Sequence, residues 1–480
     1  MAKFKQVIFK DFFWYAIGMI IPMVINLIKT PLFTRHYSAE EYGYLGLVMM
    51  VFMYLSTVSY AWLASCIWRY YNASQKKNIL FKFYANIIFL YGISTVVMLF
   101  CALIFITFYH SPFLVFKLIL ICLIHFVAKE LLGLYNVILR VKGQAKTSNI
   151  LTILQVLCSF ALLCFFAFRL DFDISSLLTS SIVIDVILLI GIGTYLKLNQ
   201  RLKWLNFQLV HRNYIKIFVQ FGSFILLSSL VTLLIVSSDR YILAMYDSIK
   251  NVGIYTKVYD IAQISITAFV FVYFSVINPK MNRELTHNVS QINPLLQQYL
   301  YAYLVILLPI VSLLSMFSKE IAVILLGEEF RAGYTIMPYV FFSAFVYGLI
   351  TFNLNKLKFS NQLKSILIIL SITFIANLVM NFIFIPNYGY FGAAITTLIS
   401  YGIMMLLFFK VDDLGMKQQM RKLKVLALQS VVLFLFYLLT NYIRSIFNLS
   451  IEYAVALGVV YLLLFGVLFF KTYKNLKIPV

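Results

Sequence analysis

The sequence predicts an all-α integral membrane protein with about 14 transmembrane helices, arranged as two pseudo-symmetric six-helix bundles plus two extra C-terminal helices. Three observations predict this fold class: the composition, the number of apolar runs long enough to cross a bilayer, and an internal repeat. The 480 residues are 62% hydrophobic and only 12% charged, whereas soluble domains carry about 25% charged residues. So few charges cannot cover a water-exposed surface, which excludes a soluble or a disordered protein.

Fourteen apolar runs are long enough to span the membrane, since a helix needs roughly 20 apolar residues to cross the hydrocarbon core. In chain order, spans 1 to 14 are predicted at 12–33, 44–67, 79–109, 113–139, 149–168, 174–196, 217–240, 252–277, 295–316, 334–355, 364–385, 390–410, 425–446 and 450–470. The first run has no small-residue cleavage site after it, so we interpret it as a retained span rather than a signal peptide.

The distribution of basic residues orients these spans. With the N-terminus in the cytoplasm, 28 of the 39 Lys and Arg residues fall in inner connections, as the positive-inside rule requires. Both termini are therefore predicted to be cytoplasmic. The net charge of +22 comes largely from these basic inner loops, which lie beside anionic lipid headgroups. Membrane lipids are therefore expected partners, and nucleic acid is not.

Two pairs of similar segments indicate an internal duplication. The segment FTRHYSAEEYGYLGLV (33–48) recurs as LAMYDSIKNVGIYTKV (243–258) at an offset of 210 residues, and 136–154 resembles 353–370. Parallel repeats of this kind are typical of transporters, with the binding site between the halves. The predicted organisation is an N-terminal lobe (1–196), a basic amphipathic cytoplasmic linker (197–216), a C-terminal lobe (217–410) and two additional helices (411–480).

Charged residues within or beside the spans are the candidate functional residues, because a charge at the centre of a bilayer costs roughly 2.5–3.5 kcal/mol. The candidate cations of a cavity are Lys29, Arg35, Arg240, Lys129 and Arg69. The candidate acids for ion coupling or for lining the cavity are Asp185, Asp260, Glu130 and Asp239.

Each candidate also has a structural interpretation that the sequence leaves open. Lys29 and Arg240 either line a cavity or extend to an interface, and Arg69 is at the inner end of span 2, where a basic residue often only fixes topology. Lys129 and the adjacent Glu130 can neutralise each other. Asp185 either carries a proton or accepts a hydrogen bond from a Ser, Thr or Tyr of a neighbouring span, which would only tie the two helices together.

The sequence lacks the common nucleotide-binding and catalytic motifs of soluble enzymes. It contains no Walker A loop, HExxH or GxSxG pattern, and its five cysteines form no CxxC pair. We therefore expect no catalytic residues, no cofactor and no metal site, and interpret the chain as a non-enzyme.

Three segments carry a family resemblance that covers essentially the whole chain: PLFTRHYSAEEYGYLGLV (31–48), SSDRYILAMYDSIKNVGIYTKVYDIAQ (237–263) and NFIFIPNYGYFGAAITTLISYG (381–402). They resemble the Wzx-type polysaccharide and O-antigen repeat-unit flippases of the multidrug/oligosaccharidyl-lipid/polysaccharide exporter superfamily. The resemblance implies a V-shaped pair of lobes with a cationic central cavity. It also implies a basic residue late in span 1, which Lys29 or Arg35 would supply, and an Asp late in span 7, which matches Asp239.

The activity implied by the resemblance is alternating-access transport of an undecaprenyl-diphosphate-linked oligosaccharide across the bacterial inner (cytoplasmic) membrane, for O-antigen, capsule or another surface polysaccharide. The partners would be this lipid-linked oligosaccharide and membrane lipids, with polysaccharide polymerase machinery as a further candidate. A multidrug or cation antiporter of the same superfamily is the nearest alternative. A membrane glycan polymerase or ligase is the third, but it would need a larger outer loop than this chain has.

Overall fold

The computed structural model describes residues 2–108, 113–198, 207–287, 292–360 and 362–411, together with isolated positions between 435 and 463. Within these residues the chain is helical and contains no strand, which confirms the predicted all-α class. The main helices are α1 (Ala2–Thr34), α2 (Ala39–Ser56), α3 (Trp62–Lys76), α4 (Leu80–Phe108), α5 (Phe113–Val141), α6 (Ala145–Arg169), α7 (Ser176–Leu198), α8 (Arg212–Tyr246), α9 (Ile249–His287), α10 (Ile292–Met316), α11 (Ser318–Leu325), α12 (Met337–Phe359) and α13 (Leu363–Val411).

Each of the first twelve predicted spans coincides with helix in the structure. Span 2 is built from α2, a π-helical turn at Thr57–Ala61 and α3, which follow one another without a break. In the part of the chain that the structure describes, nine helical segments are long and apolar enough to cross a membrane. Predicted spans 13 and 14 fall almost entirely outside the described residues.

Predicted spans 11 and 12 are the two halves of α13, which bends at Gly389. This glycine has φ 53° and ψ −138°, and it follows Pro386 by three residues. Two hydrogen bonds between fully buried side chains join the two halves: the Asn377 amide donates to Ser400 Oγ over 3.0 Å, and the Thr396 hydroxyl donates to Asn381 Oδ1. Within the first half, the Asn381 amide donates to Asn377 Oδ1 over 3.0 Å. Because membrane helices gain little from apolar contact with each other, such hydrogen bonds help to hold the pair together.

The first repeated segment forms the same corner twice. Backbone hydrogen bonds run from Tyr37 N to Phe33 O (2.9 Å) and from Asp247 N to Leu243 O (2.8 Å), both at the 210-residue offset. In each corner a serine caps the next helix: Glu41 N donates to Ser38 Oγ and Asn251 N donates to Ser248 Oγ, both at 3.2 Å. The two corners therefore have the same local backbone geometry, as the predicted duplication requires.

The second repeated segment also forms matching turns, at an offset of 218 residues. The bond from Gln144 N to Leu139 O has its counterpart from Gln362 N to Leu357 O, and both measure 2.9 Å. The bond from Lys142 N to Ile138 O similarly corresponds to that from Ser360 N to Lys356 O. The order of the two repeated features supports the predicted pair of bundles.

The chain divides into two compact units, unit 1 (Met1–Ser237) and unit 2 (Ser238–Val480). The division falls inside α8, which is continuous from Arg212 to Tyr246. The predicted linker at 197–216 and the lobe boundaries based on it stay predictions.

The two ends of span 2 offer a test of the predicted topology. Glu40, at the start of α2, and Lys77, just after α3, are both exposed. We expect Glu40→Cys to react with an impermeant thiol reagent only from outside the cell and Lys77→Cys only from the cytoplasm. The background should lack the five native cysteines, since Cys158 is exposed. Labelling of both positions from the same face would contradict the topology.

Candidate functional site

Each unit has buried charged residues in its apolar helices, Asp239 and Arg240 in unit 2 and Asp185 in unit 1. In unit 2, Arg240 on α8 is only 2% exposed, although its side chain carries a full charge. Its guanidinium lies 3.7 Å from Asp239 Oδ1 and 3.7 Å from Asp260 Oδ1 on α9. Lys257 Nζ lies 3.6 Å from the other oxygen of Asp260. A cation buried this deeply requires such counter-charges, because desolvation of an isolated ion is costly.

Two tyrosines complete this group, which we name the Arg240 cluster (Asp239, Arg240, Tyr255, Tyr259 and Asp260). The guanidinium carbon lies 5.0 Å from the ring centroid of Tyr259 and 5.5 Å from that of Tyr255, within cation–π range. The Tyr255 hydroxyl donates to Asp239 Oδ2. The charge of Arg240 is therefore compensated on several sides by groups of its own unit.

In unit 1, Asp185 on α7 is fully buried. Its Oδ1 accepts a hydrogen bond of 2.6 Å from Gln155 Nε2 on α6, whereas its Oδ2 has no hydrogen-bond partner among the residues that the structure describes. The bond to Gln155 joins two neighbouring spans, as the structural interpretation from the sequence proposed, although the donor is an amide rather than a hydroxyl.

One lysine lies within electrostatic range of this acid, and a second lies within range of a nearby histidine. Lys129 on α5 is exposed and within electrostatic range of Asp185, and its Nζ lies 5.3 Å from the ring centroid of Phe126. Lys129 and Lys29 are both within electrostatic range of His125, which is 7% exposed. We name these residues the Asp185 cluster (Lys29, His125, Lys129, Gln155 and Asp185).

Glu130 belongs to neither group. Its Oε1 accepts a hydrogen bond of 2.6 Å from Ser56 Oγ on α2, and it forms no ion pair with Lys129. Adjacent helical residues diverge by about 100°, so the two side chains point in different directions. The interpretation that these two charges neutralise each other is not what the structure shows.

The last two candidates lie apart from both clusters. Arg35 is exposed at the corner between α1 and α2. Arg69 is exposed near the end of α3, with its guanidinium carbon 4.3 Å from the ring centroid of Phe221 on α8.

Several residues of these clusters escape prediction from sequence because they are not charged at neutral pH. Gln155 is a polar residue inside an otherwise apolar span, which is the signal that could have identified it. Tyr255 and Tyr259 are four residues apart, and this spacing places them on one face of α9. Asn377 and Asn381, which join the halves of α13, have the same spacing.

Solved structures with the same fold show about 15% sequence identity to this chain. "Lipid II flippase MurJ, inward closed conformation" has a TM-score of 0.70 and 15% identity, covering 96% of this chain and 99% of that one. "Inward-facing conformation of a multidrug resistance MATE family transporter of the MOP superfamily" has a TM-score of 0.63 and 14% identity, covering 86% of this chain and 99% of that one. "Outward-facing conformation of a multidrug resistance MATE family transporter of the MOP superfamily" has a TM-score of 0.60 and 15% identity, covering 87% of this chain and 97% of that one. No match is found among curated proteins.

These likenesses show the transporter fold that the sequence predicted. The family model described as "Polysaccharide biosynthesis protein" matches residues 8–285, more than half of the chain. The chain therefore belongs to the polysaccharide biosynthesis protein family.

Proposed function

We propose that this membrane protein flips an undecaprenyl-diphosphate-linked oligosaccharide repeat unit across the bacterial inner (cytoplasmic) membrane by alternating access. The product would be used for O-antigen, capsule or another surface polysaccharide, and both termini would be cytoplasmic. Polysaccharide polymerase machinery would act on the exported repeat unit. Membership of the polysaccharide biosynthesis protein family and the transporter fold support this proposal.

The observation that carries the proposal is the position of the lysines in unit 1. Lys29 on α1 and Lys129 on α5 are both within electrostatic range of the same buried imidazole, His125, and the Lys129 side chain is exposed. Among the described residues Lys129 forms no ion pair. A lysine ammonium in such a place suits a diphosphate, since charge-assisted hydrogen bonds to phosphate are among the strongest in proteins.

The surroundings of Arg240 argue against a role in substrate binding. Arg240 is one of the five cavity cations predicted from the sequence, but it is buried and already faces two carboxylates. The proposal therefore assigns the diphosphate to Lys29 and Lys129, with Arg35 as a further candidate, and assigns Arg240 to the stability of unit 2.

The alternative, a multidrug or cation antiporter, needs an accessible acid for a cationic substrate. Asp185 is fully buried, and Asp239 is bonded to Tyr255 and close to Arg240. Asp260 is 40% exposed, but its carboxylate is already paired with Arg240 and Lys257. Lys129 is exposed and has no such ion pair with a described residue, and this favours an anionic substrate.

The direct test is deletion of the gene, followed by identification of the lipid-linked intermediate that accumulates. We expect an undecaprenyl-diphosphate oligosaccharide of complete repeat-unit size on the cytoplasmic leaflet. Accumulation of no such lipid, together with normal surface polysaccharide, would contradict the proposal.

Replacement of Lys129 tests the site itself. We expect Lys129→Gln to slow flipping in proteoliposomes by roughly 10- to 100-fold, because a hydrogen bond to a charged group contributes about 1.5–3 kcal/mol. Protein abundance should not change, since the side chain is exposed and forms no ion pair with any described residue. The matched control is Lys250→Gln, which removes an exposed lysine 3.9 Å from Glu329. Equal flipping rates for the two variants would exclude Lys129 from the site.

A further inference from the structure

The two carboxylate oxygens of Asp185 have different environments. Oδ1 accepts the hydrogen bond from Gln155, while Oδ2 is buried and has no hydrogen-bond partner among the described residues. A proton on Oδ2 would remove the charge of the carboxyl and leave the bond from Gln155 to Oδ1 in place. Burial of a charged carboxylate is costly when its hydrogen bonds are incomplete.

The charged surroundings of Asp185 are simple. Among the described residues, the helices that pack most extensively against α7 are α5 and α6. The facing residue on α6 is the neutral Gln155, and the cation on α5 within electrostatic range is Lys129. The other titratable groups of the cluster are Lys29 on α1 and the buried His125 on α5, whose Nδ1 has no hydrogen-bond partner among the described residues.

Lys129 therefore has two possible counter-charges. Without substrate, its ammonium stabilises the ionised form of Asp185 electrostatically, without direct contact. An anion bound to Lys129 would neutralise that ammonium and also repel the carboxylate across a medium of low dielectric constant. Because binding equilibria are reciprocal, protonation of Asp185 would in turn strengthen binding of the anion.

We propose that Asp185 takes up one proton at Oδ2 when the diphosphate of a lipid-linked glycan binds at Lys129. This inference rests on the proposed function, since it requires the anion to bind at this cluster. The step forms one O–H bond at Oδ2 and breaks one bond to hydrogen in a hydronium ion or a protonated buffer molecule, which is left as water or as the conjugate base. Asp185 is thus a charge-compensating residue that does not contact the substrate, and Gln155 holds its carboxyl group in one orientation in both protonation states.

The experiment measures the binding of an undecaprenyl-diphosphate-linked monosaccharide to the purified full-length chain between about pH 5.5 and pH 8.5. Both phosphates of this probe are diesters and stay ionised over that range, so the ligand does not contribute to the pH dependence. We expect the affinity of the wild type to fall with rising pH, by up to tenfold for each pH unit, as one linked proton requires.

Three variants identify the group that titrates. Asp185→Asn keeps an oxygen that accepts from Gln155 but cannot ionise, so its affinity should be independent of pH. His125→Gln should retain the wild-type pH dependence, and Lys129→Gln should bind weakly at every pH. A pH dependence that persists in Asp185→Asn and disappears in His125→Gln would overturn the inference.

Calorimetry on the wild type keeps the test independent of how well the variants fold. Titrations in buffers of different ionisation enthalpy count the protons taken up on binding, and we expect close to one near the middle of the pH range. Binding without proton uptake at any pH would overturn the inference while the proposed function stands. A wild-type protein that binds no probe would contradict the proposed function itself.

Discussion

Removal of the Arg240 side chain is expected to prevent stable folding of unit 2. Arg240→Gln would leave Asp239 fully buried, without the cation that now lies 3.7 Å from its Oδ1. Breaking a buried ion pair by removing one partner costs about 3–5 kcal/mol, because the remaining charge is desolvated and uncompensated. We expect a large drop in the melting temperature of the detergent-solubilised protein and low abundance in the membrane.

A double variant separates this electrostatic effect from loss of packing. Asp239→Asn in the Arg240→Gln background removes the uncompensated charge, so it should recover part of the lost stability. Together with the single variant Asp239→Asn, these measurements complete a double-mutant cycle that gives the coupling free energy. Lys250→Gln is the control, because the exposed pair of Lys250 and Glu329 should contribute less than about 1 kcal/mol. A melting temperature of Arg240→Gln equal to that of the control would show that Arg240 is not structural and would return it to the candidate substrate ligands.

The corners of the repeat are predictable because their signals are local. A short polar turn followed by a glycine at the start of a span is visible in sequence, and Ser38 and Ser248 are ordinary N-cap residues. The bend in α13 has a comparable signal, since Pro386 and Gly389 both interrupt helices. These features depend on a few consecutive residues, so no knowledge of the packing is needed to find them.

The sequence predicts that the buried charges have partners, but not which residues these partners are. Asp239, Arg240 and Asp260 are recognisable in sequence as charges that must pair or contact water, but their mutual contact depends on how α8 packs on α9. Gln155 and His125 carry no charge that would single them out, and their roles arise from the packing of α5, α6 and α7. The free energy of a charge in a bilayer indicates that a partner exists, but not which residue it is.

Substitution of Gly389 is expected to produce the other large loss of stability. Its φ of 53° and ψ of −138° lie in a region that side-chain-bearing residues rarely adopt, at a cost of about 1–3 kcal/mol. A Cβ at this position would also lie 2.9 Å from Asp247 Oδ2, at the corner between α8 and α9. The other oxygen of Asp247 accepts bonds from the Ser248 amide and the Asn251 side chain, so the carboxylate is not free to move away.

The matched control for this prediction lies in the second half of the same helix. A Cβ added at Gly402 would meet no described atom within 4 Å, so Gly402→Ala should be neutral or stabilising by up to about 1 kcal/mol, from helix propensity. Gly389→Ala should instead lower the melting temperature, and its effect should shrink when Asp247 is replaced by alanine, because the steric part of the cost is then removed. A Gly389→Ala variant as stable as Gly402→Ala would mean that the bend does not depend on the positive φ. In that case Pro386 and the two hydrogen bonds between the halves, from Asn377 to Ser400 and from Thr396 to Asn381, would be sufficient to determine how the two halves of α13 meet.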